Sequence, residues 1–186
     1  MEIRGKTALV TGAGRGLGQT IALALAAEGA NVVAHYHGSE AGAAETAVRA
    51  RLRGVRAAHI GGDLADPGEA CQLVRWAAQA LAPPDILVNS ASVFVPGTLR
   101  NTSIEDWDRH VDVNLRGPFL TMQSFASFLE DREGKVVNLS DFRASRPGRE
   151  YFGYTVSKAA TVCSCVTSPP PPSGWTRVRR VPAAAG

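Results

Sequence analysis

Four glycines fall within eight residues, Thr11-Gly12-Ala13-Gly14-Arg15-Gly16-Leu17-Gly18, between a short apolar run, Thr7 to Val10, and a helix-forming stretch, Gly16 to Ala27. This segment constrains the fold more than any other. Glycine lets the backbone turn tightly and come close to a negatively charged group. The helix that opens behind the turn then offers its unpaired N–H groups to that charge. A glycine turn alone is a weak signal. Strand, turn and helix in that order predict a phosphate-binding βαβ start.

The alternation continues along the chain. Strands are expected at Asn31 to Tyr36, Arg56 to Ile60, Ile86 to Val88 and Lys135 to Leu139. Helices are expected at Ala41 to Arg53, at Gly68 to Leu81, from a Ser103 cap to about Leu129, and from near Tyr151. In the first helix Leu17, Ile21 and Leu25 share one face. Strands alternating with helices imply an α/β fold, a doubly wound parallel sheet of the Rossmann type. Ligands bind such sheets at the carboxyl ends of the strands, where the strand order reverses.

The composition, 45% hydrophobic and 20% charged over 186 residues, suits one α/β domain with its own core. No apolar run is long enough to span a bilayer, and the N-terminus shows no signal-peptide pattern, so the expected location is cytoplasmic. Cys71, Cys163 and Cys165 form neither a disulfide framework nor a metal-ligand set. A net charge of +3 with dispersed basic residues argues against nucleic acid as a partner.

From Gly5 to about Ala160 the motifs resemble those of the short-chain dehydrogenase/reductase superfamily. The carriers are the G-x-x-x-G-x-G turn, Asp63-Leu64, Asn89-Ser90-Ala91-Ser92, Asn114 and Tyr154-Thr155-Val156-Ser157-Lys158, in register. The resemblance implies an oxidoreductase with a nicotinamide cofactor. Gly12, Gly16, Leu17 and Gly18 would then hold the pyrophosphate, Asp63 and Leu64 the adenine, and Lys158 the nicotinamide ribose, with Asn89 and Ala91 also binding the cofactor. An NAD enzyme usually places an acid after the second strand. Here His35-Tyr36-His37-Gly38-Ser39 stands there instead. Arg15, with His37 and Ser39, can meet a 2′-phosphate, so NADP is the expected cofactor.

Tyr154 and Lys158, four apart, share one helix face. A lysine cation beside the phenol is expected to lower its pKa, making Tyr154 the acid/base. The family's serine, thirteen positions before the tyrosine, is replaced by Asp141, with Ser140 next to it. An ionised aspartate only accepts hydrogen bonds, which suits a substrate bearing N–H groups. Pteridine reductases resemble the chain in this aspartate, in an Asn-x-Ala-Ser segment and in a His-Tyr-His stretch. The alternative is that Asp141 caps the following loop while Ser140 serves the site. Pro118 lacks an N–H, which frees the carbonyl of Asn114 from its helical partner for a water relay to the lysine; a simple kink is the alternative.

The resemblance stops after Ala160. Cys163 to Ser168 leads into four prolines, Pro169 to Pro172, and Ser173 to Gly186 has no period. The expected division is therefore an incomplete dinucleotide-binding domain, 1–168, ending after the fifth strand and a sixth helix, and a disordered tail, 169–186. Such a chain is expected to melt broadly and turn over little. The readings in play are an NADPH-dependent reductase of a carbonyl or pteridine-like small molecule, a 3-oxoacyl-thioester reductase, and a nucleotide-binding module without catalysis. The family resemblance also implies a homo-oligomer built on the two long helices, with Met122, Phe125 or Phe128 facing outward.

Overall fold

The strand that begins the glycine turn, β1 (Thr7–Val10), is buried at every residue and lies in the middle of a five-stranded sheet. The computed structural model describes residues 2–129 and 132–164, the last two through their backbone. The strands β2 (Asn31–Tyr36), β3 (Ala57–Gly61), β4 (Ile86–Asn89) and β5 (Lys135–Asn138) pair in parallel, in the order β3-β2-β1-β4-β5. The order reverses between β1 and β4. The crevice at their carboxyl ends is the ligand position of a doubly wound sheet.

Period-two alternation sorts the strand residues onto two cores. Ala8, Val10, Val32 and Ala34 face α1 (Gly16–Ala27) and α2 (Glu40–Arg51). Leu9, Val33 and Leu87 face α3 (Pro67–Ala80) and the later helix that carries Phe125 and Leu129. In α1 the expected apolar face is rotated. Gly18, Ala22, Leu23 and Ala26 are the buried residues, Ile21 and Leu25 only flank the core, and Leu17 is 60% exposed. Small residues let this helix sit close behind the glycine turn, where a Cβ at Gly18 would collide with the carbonyl of Gly12.

Ser103 caps the next helix as expected, accepting from the N–H of Asp106 at 3.0 Å. The long helix is not uniform. It runs as α4 (Ile104–Val111), a π-turn over Asp112–Arg116, and α5 (Gly117–Leu129). Pro118 has no N–H to donate, and the Gly117 N–H reaches back to Asp112, so the ladder widens by one residue at Asn114. On α5, Phe125 is fully buried in the chain's own core, which removes it from any outward face; Met122 and Phe128 are partly buried against the same cluster. The last described helix is α6 (Phe152–Ser164). Among the described residues no helix is long and apolar enough to cross a membrane, and no cluster of metal-ligating side chains occurs. The tail at 169–186, and the boundary proposed for it, lie outside the described residues.

Candidate active site

At the glycine turn the surface is made of backbone. Gly12 (φ +67°) and Gly16 (φ +56°) occupy the left-handed region that favours glycine. A Cβ on Gly12 would lie 2.8 Å from the Cα of Ala91, so the turn after β1 and the loop after β4 touch only because that side chain is missing. A Cβ on Gly16 would meet nothing within 4 Å. Arg15 precedes α1 in an extended conformation. No side chain caps this helix start and no acid sits in its first turn, so its N–H groups and Arg15 remain for an anion. This open, uncapped cradle fits the pyrophosphate of a dinucleotide.

Around it, Ser39 packs against Gly14, and His37 Nδ1 lies 3.1 Å from Asp63 Oδ1 beside the end of β3. Asp63 also accepts from the N–H of Ala65, and Leu64 is buried. Two side chains to which the motifs assign no role, Thr11 and His35, hold the cradle. Thr11 Oγ1 accepts from the N–H groups of Ser90 and Ala91 at 3.0 and 3.1 Å. His35 is buried. It accepts from the Gly12 N–H at Nδ1 (3.3 Å) and donates from Nε2 to the Gly62 carbonyl (3.0 Å). Those two partners require the neutral Nε2–H form. Burial is the main cause that brings its pKa down to about 4.

At the other end of the crevice side chains make the surface. Tyr154, buried on α6, donates its hydroxyl to Asp141 Oδ2 at 3.0 Å. Asp141 Oδ1 accepts from the backbone N–H of Arg143 at 2.8 Å and caps the 3-10 turn Phe142–Ala144. One carboxylate therefore both faces the tyrosine and caps the loop, while Ser140 is exposed. Lys158 is buried, donates to the Leu139 carbonyl at 2.9 Å and stands 5.7 Å from the centre of the Tyr154 ring. Burial brings its pKa down to about 8. The expected lowering of the tyrosine pKa is reversed. Burial first, and then the charge and hydrogen bond of Asp141, push it well above its ordinary value. The one opposing charge, that of Arg143, is outweighed by burial and by the aspartate in direct contact.

Asn114 is buried in the π-turn and anchors the loop after β4. Its Oδ1 accepts from the N–H of Val93 at 2.8 Å, and its Nδ2 donates to Ser157 Oγ at 3.1 Å. Its freed carbonyl accepts from the hydroxyl of Thr161 at 3.0 Å. Asn89 binds Asn138 and Thr121, tying β4 to β5 and α5. His110, buried on α4, donates from Nδ1 to the Asp106 carbonyl and accepts the N–H of Val95 at Nε2. Phe94 on that loop stacks on Tyr151 with ring centres 4.0 Å apart and meets Tyr154 edge-on at 4.6 Å. Tyr151 is the sole non-glycine residue with positive φ among the described residues, at +59°. No local signal in the sequence marks His110, Phe94, Tyr151 or Arg143. Only the fold brings Phe94 and His110 to Tyr154, and Phe94 and Arg143 to Tyr151.

Comparison with known proteins matches residues 6–165 to the family described as short chain dehydrogenase. A short-chain type dehydrogenase/reductase of Picea abies is 39% identical over 165 residues, 84% of this chain and 61% of its own length. A 3-oxoacyl-(acyl-carrier-protein) reductase of Staphylococcus aureus is 34% identical over 158 residues, 84% of this chain and 64% of its own. The chain thus spans less than two thirds of these relatives. Among solved structures, the FolM alternative dihydrofolate reductase 1 from Brucella canis, complexed with NADP, superposes with a TM-score of 0.83 at 31% identity, over 89% of this chain and 67% of that one.

Proposed function

The chain belongs to the short-chain dehydrogenase family, and we propose that it serves as an NADPH-dependent reductase of a carbonyl or of a C=N bond in a pteridine-like ring. The observation that carries the reading is the 3.0 Å contact between the Tyr154 hydroxyl and Asp141, with Lys158 behind the ring. NADPH, when bound, supplies the hydride. Tyr154 is held as the neutral phenol at neutral pH, so it can donate its proton to the oxygen or nitrogen that becomes basic as the neighbouring carbon is reduced. Lys158, a cation below about pH 8, stabilises the phenolate left behind. Asp141 accepts an N–H of the substrate, which a ketone does not possess. Asn114 positions the loop after β4 against this group.

For the cofactor, Gly12, Gly16, Leu17 and Gly18 form the pyrophosphate cradle, and Arg15, His37 and Ser39 meet the 2′-phosphate. Asp63 and Leu64 flank the adenine, while Asn89, Ala91 and Lys158 border the nicotinamide. The NADP in the Brucella neighbour supports this choice. The Staphylococcus relative favours a second substrate reading, a 3-oxoacyl thioester. The test is NADPH consumption with pterins, simple ketones and 3-oxoacyl thioesters. Pterins are expected to react fastest, and Asp141→Ser is expected to shift preference toward ketones. Preference for thioesters in the unaltered chain selects the second reading. Cofactor binding without turnover of any of them selects a nucleotide-binding module.

A further inference from the structure

Arg143 is a cation at this site to which the proton chemistry gives no task. It lies at the middle of the 3-10 turn Phe142–Ala144, two residues after Asp141. Its guanidinium carbon stands 4.8 Å from the centre of the Tyr151 ring and 5.4 Å from that of Phe142. Tyr151 in turn stacks on Phe94, and Phe94 meets Tyr154. The cation is therefore joined to the reacting phenol through two aromatic contacts. Its charge reaches the Tyr154 hydroxyl, where it opposes the upward push of Asp141.

Arg143 makes no ion pair with a carboxylate among the described residues. Asp141, two residues before it, uses one oxygen on the Tyr154 hydroxyl and the other on the backbone N–H of Arg143. The loop closes round the guanidinium on its Gly148 side, where a Cβ would lie 3.2 Å from an Nη atom. A guanidinium held over an aromatic ring keeps its N–H donors in its own plane, directed outward and spaced for the two oxygens of a carboxylate. Phe94, 52% exposed and stacked on the same Tyr151 ring, offers apolar ring surface.

We propose that Arg143 is a substrate-specificity residue that binds the carboxylate of a flat aromatic substrate, whose ring lies along Phe94 and whose reducible carbon faces Tyr154. The last part rests on the reductase reading; the capture of the carboxylate does not. The probes are 6-acetyl-2-naphthoate and its uncharged carboxamide, which differ in charge and little in shape. Binding to the full chain, with and without saturating NADPH, is followed by ligand-observed NMR, and NADPH consumption is measured in parallel. The carboxylate is expected to bind about tenfold or more tighter than the amide, as a charge-assisted pair requires. That ratio is expected to fall to about one in Arg143→Gln and to an intermediate value in Arg143→Lys, which keeps the charge and loses the fork. Arg143→Met repeats the neutral comparison if the Gln variant does not melt like the unaltered chain. A ratio near one in the unaltered chain, or an undiminished ratio in a neutral variant, overturns the proposal. An Arg143-dependent ratio upholds it whether or not NADPH is consumed, and the reductase reading falls only if pterins, ketones and 3-oxoacyl thioesters all fail to consume NADPH. Turnover with no charge preference overturns the proposal and upholds the reductase reading.

Discussion

The glycine turn and the Tyr154 cluster border the same crevice and are built in opposite ways. The first is lined by backbone: glycines in left-handed conformations, an uncapped helix start, and loops that touch because a Cβ is absent. Its strands β1 and β4 are buried at every residue. The second is lined by side chains from the turn after β5, from α6, from the loop after β4 and from the π-turn. Its strand β5 is only partly covered among the described residues, with Val137 42% exposed. A backbone-lined cradle resists most substitutions outside its glycines, since its shape comes from main-chain conformation. A side-chain-lined pocket changes its charge, proton affinity and shape with single residues, which is where chemistry and substrate choice are set.

Acid should affect the first region through the one buried titratable group that holds it. The folded pKa of His35, about 4, lies below its ordinary value of 6.5, so the unfolded chain binds the proton more readily between those values. Stability is full above about pH 6.5 and falls as the pH drops toward 4, by up to about 3 kcal/mol. Urea midpoints across that range check this. His35→Asn should flatten the slope, and an unchanged slope would remove His35 from the account of the cradle.

Next in size, in a chain extended to the full length of its relatives, Tyr154→Phe should cut turnover about 10²-fold or more while leaving NADPH affinity in place, because it removes the proton and keeps the ring. Loss of cofactor binding in this variant would mean that the two regions are not separable as described. Gly12→Ala should destabilise the fold by about 2 kcal/mol through its positive φ and the approach of Ala91, with weaker NADPH binding as well. Chemical denaturation and cofactor fluorescence measure both, and a neutral result would contradict a cradle made by the missing side chain. The smallest effect is expected of Arg15→Ala, about tenfold in NADPH affinity with NADH unchanged. Equal losses for the two cofactors would take Arg15 away from the 2′-phosphate.

Much of this arrangement was legible in the chain itself. The strand and helix order, the glycine turn, the Ser103 cap and the spacing of Tyr154 and Lys158 are carried by short-range patterns: a period of two or 3.6, a conformational requirement for glycine, or a fixed offset on one helix; Asp141 is placed by the family resemblance. Tertiary structure alone decided that Asp141 serves Tyr154 with one oxygen and a loop with the other, and that the tyrosine pKa rises rather than falls. It also decided that Thr161 takes the freed carbonyl of Asn114, that Phe125 turns inward, and that His35 locks the glycine turn. Each of these depends on residues distant in sequence meeting at contact distance, and on how much water burial removes from a charged group. Periodicity along the chain records neither.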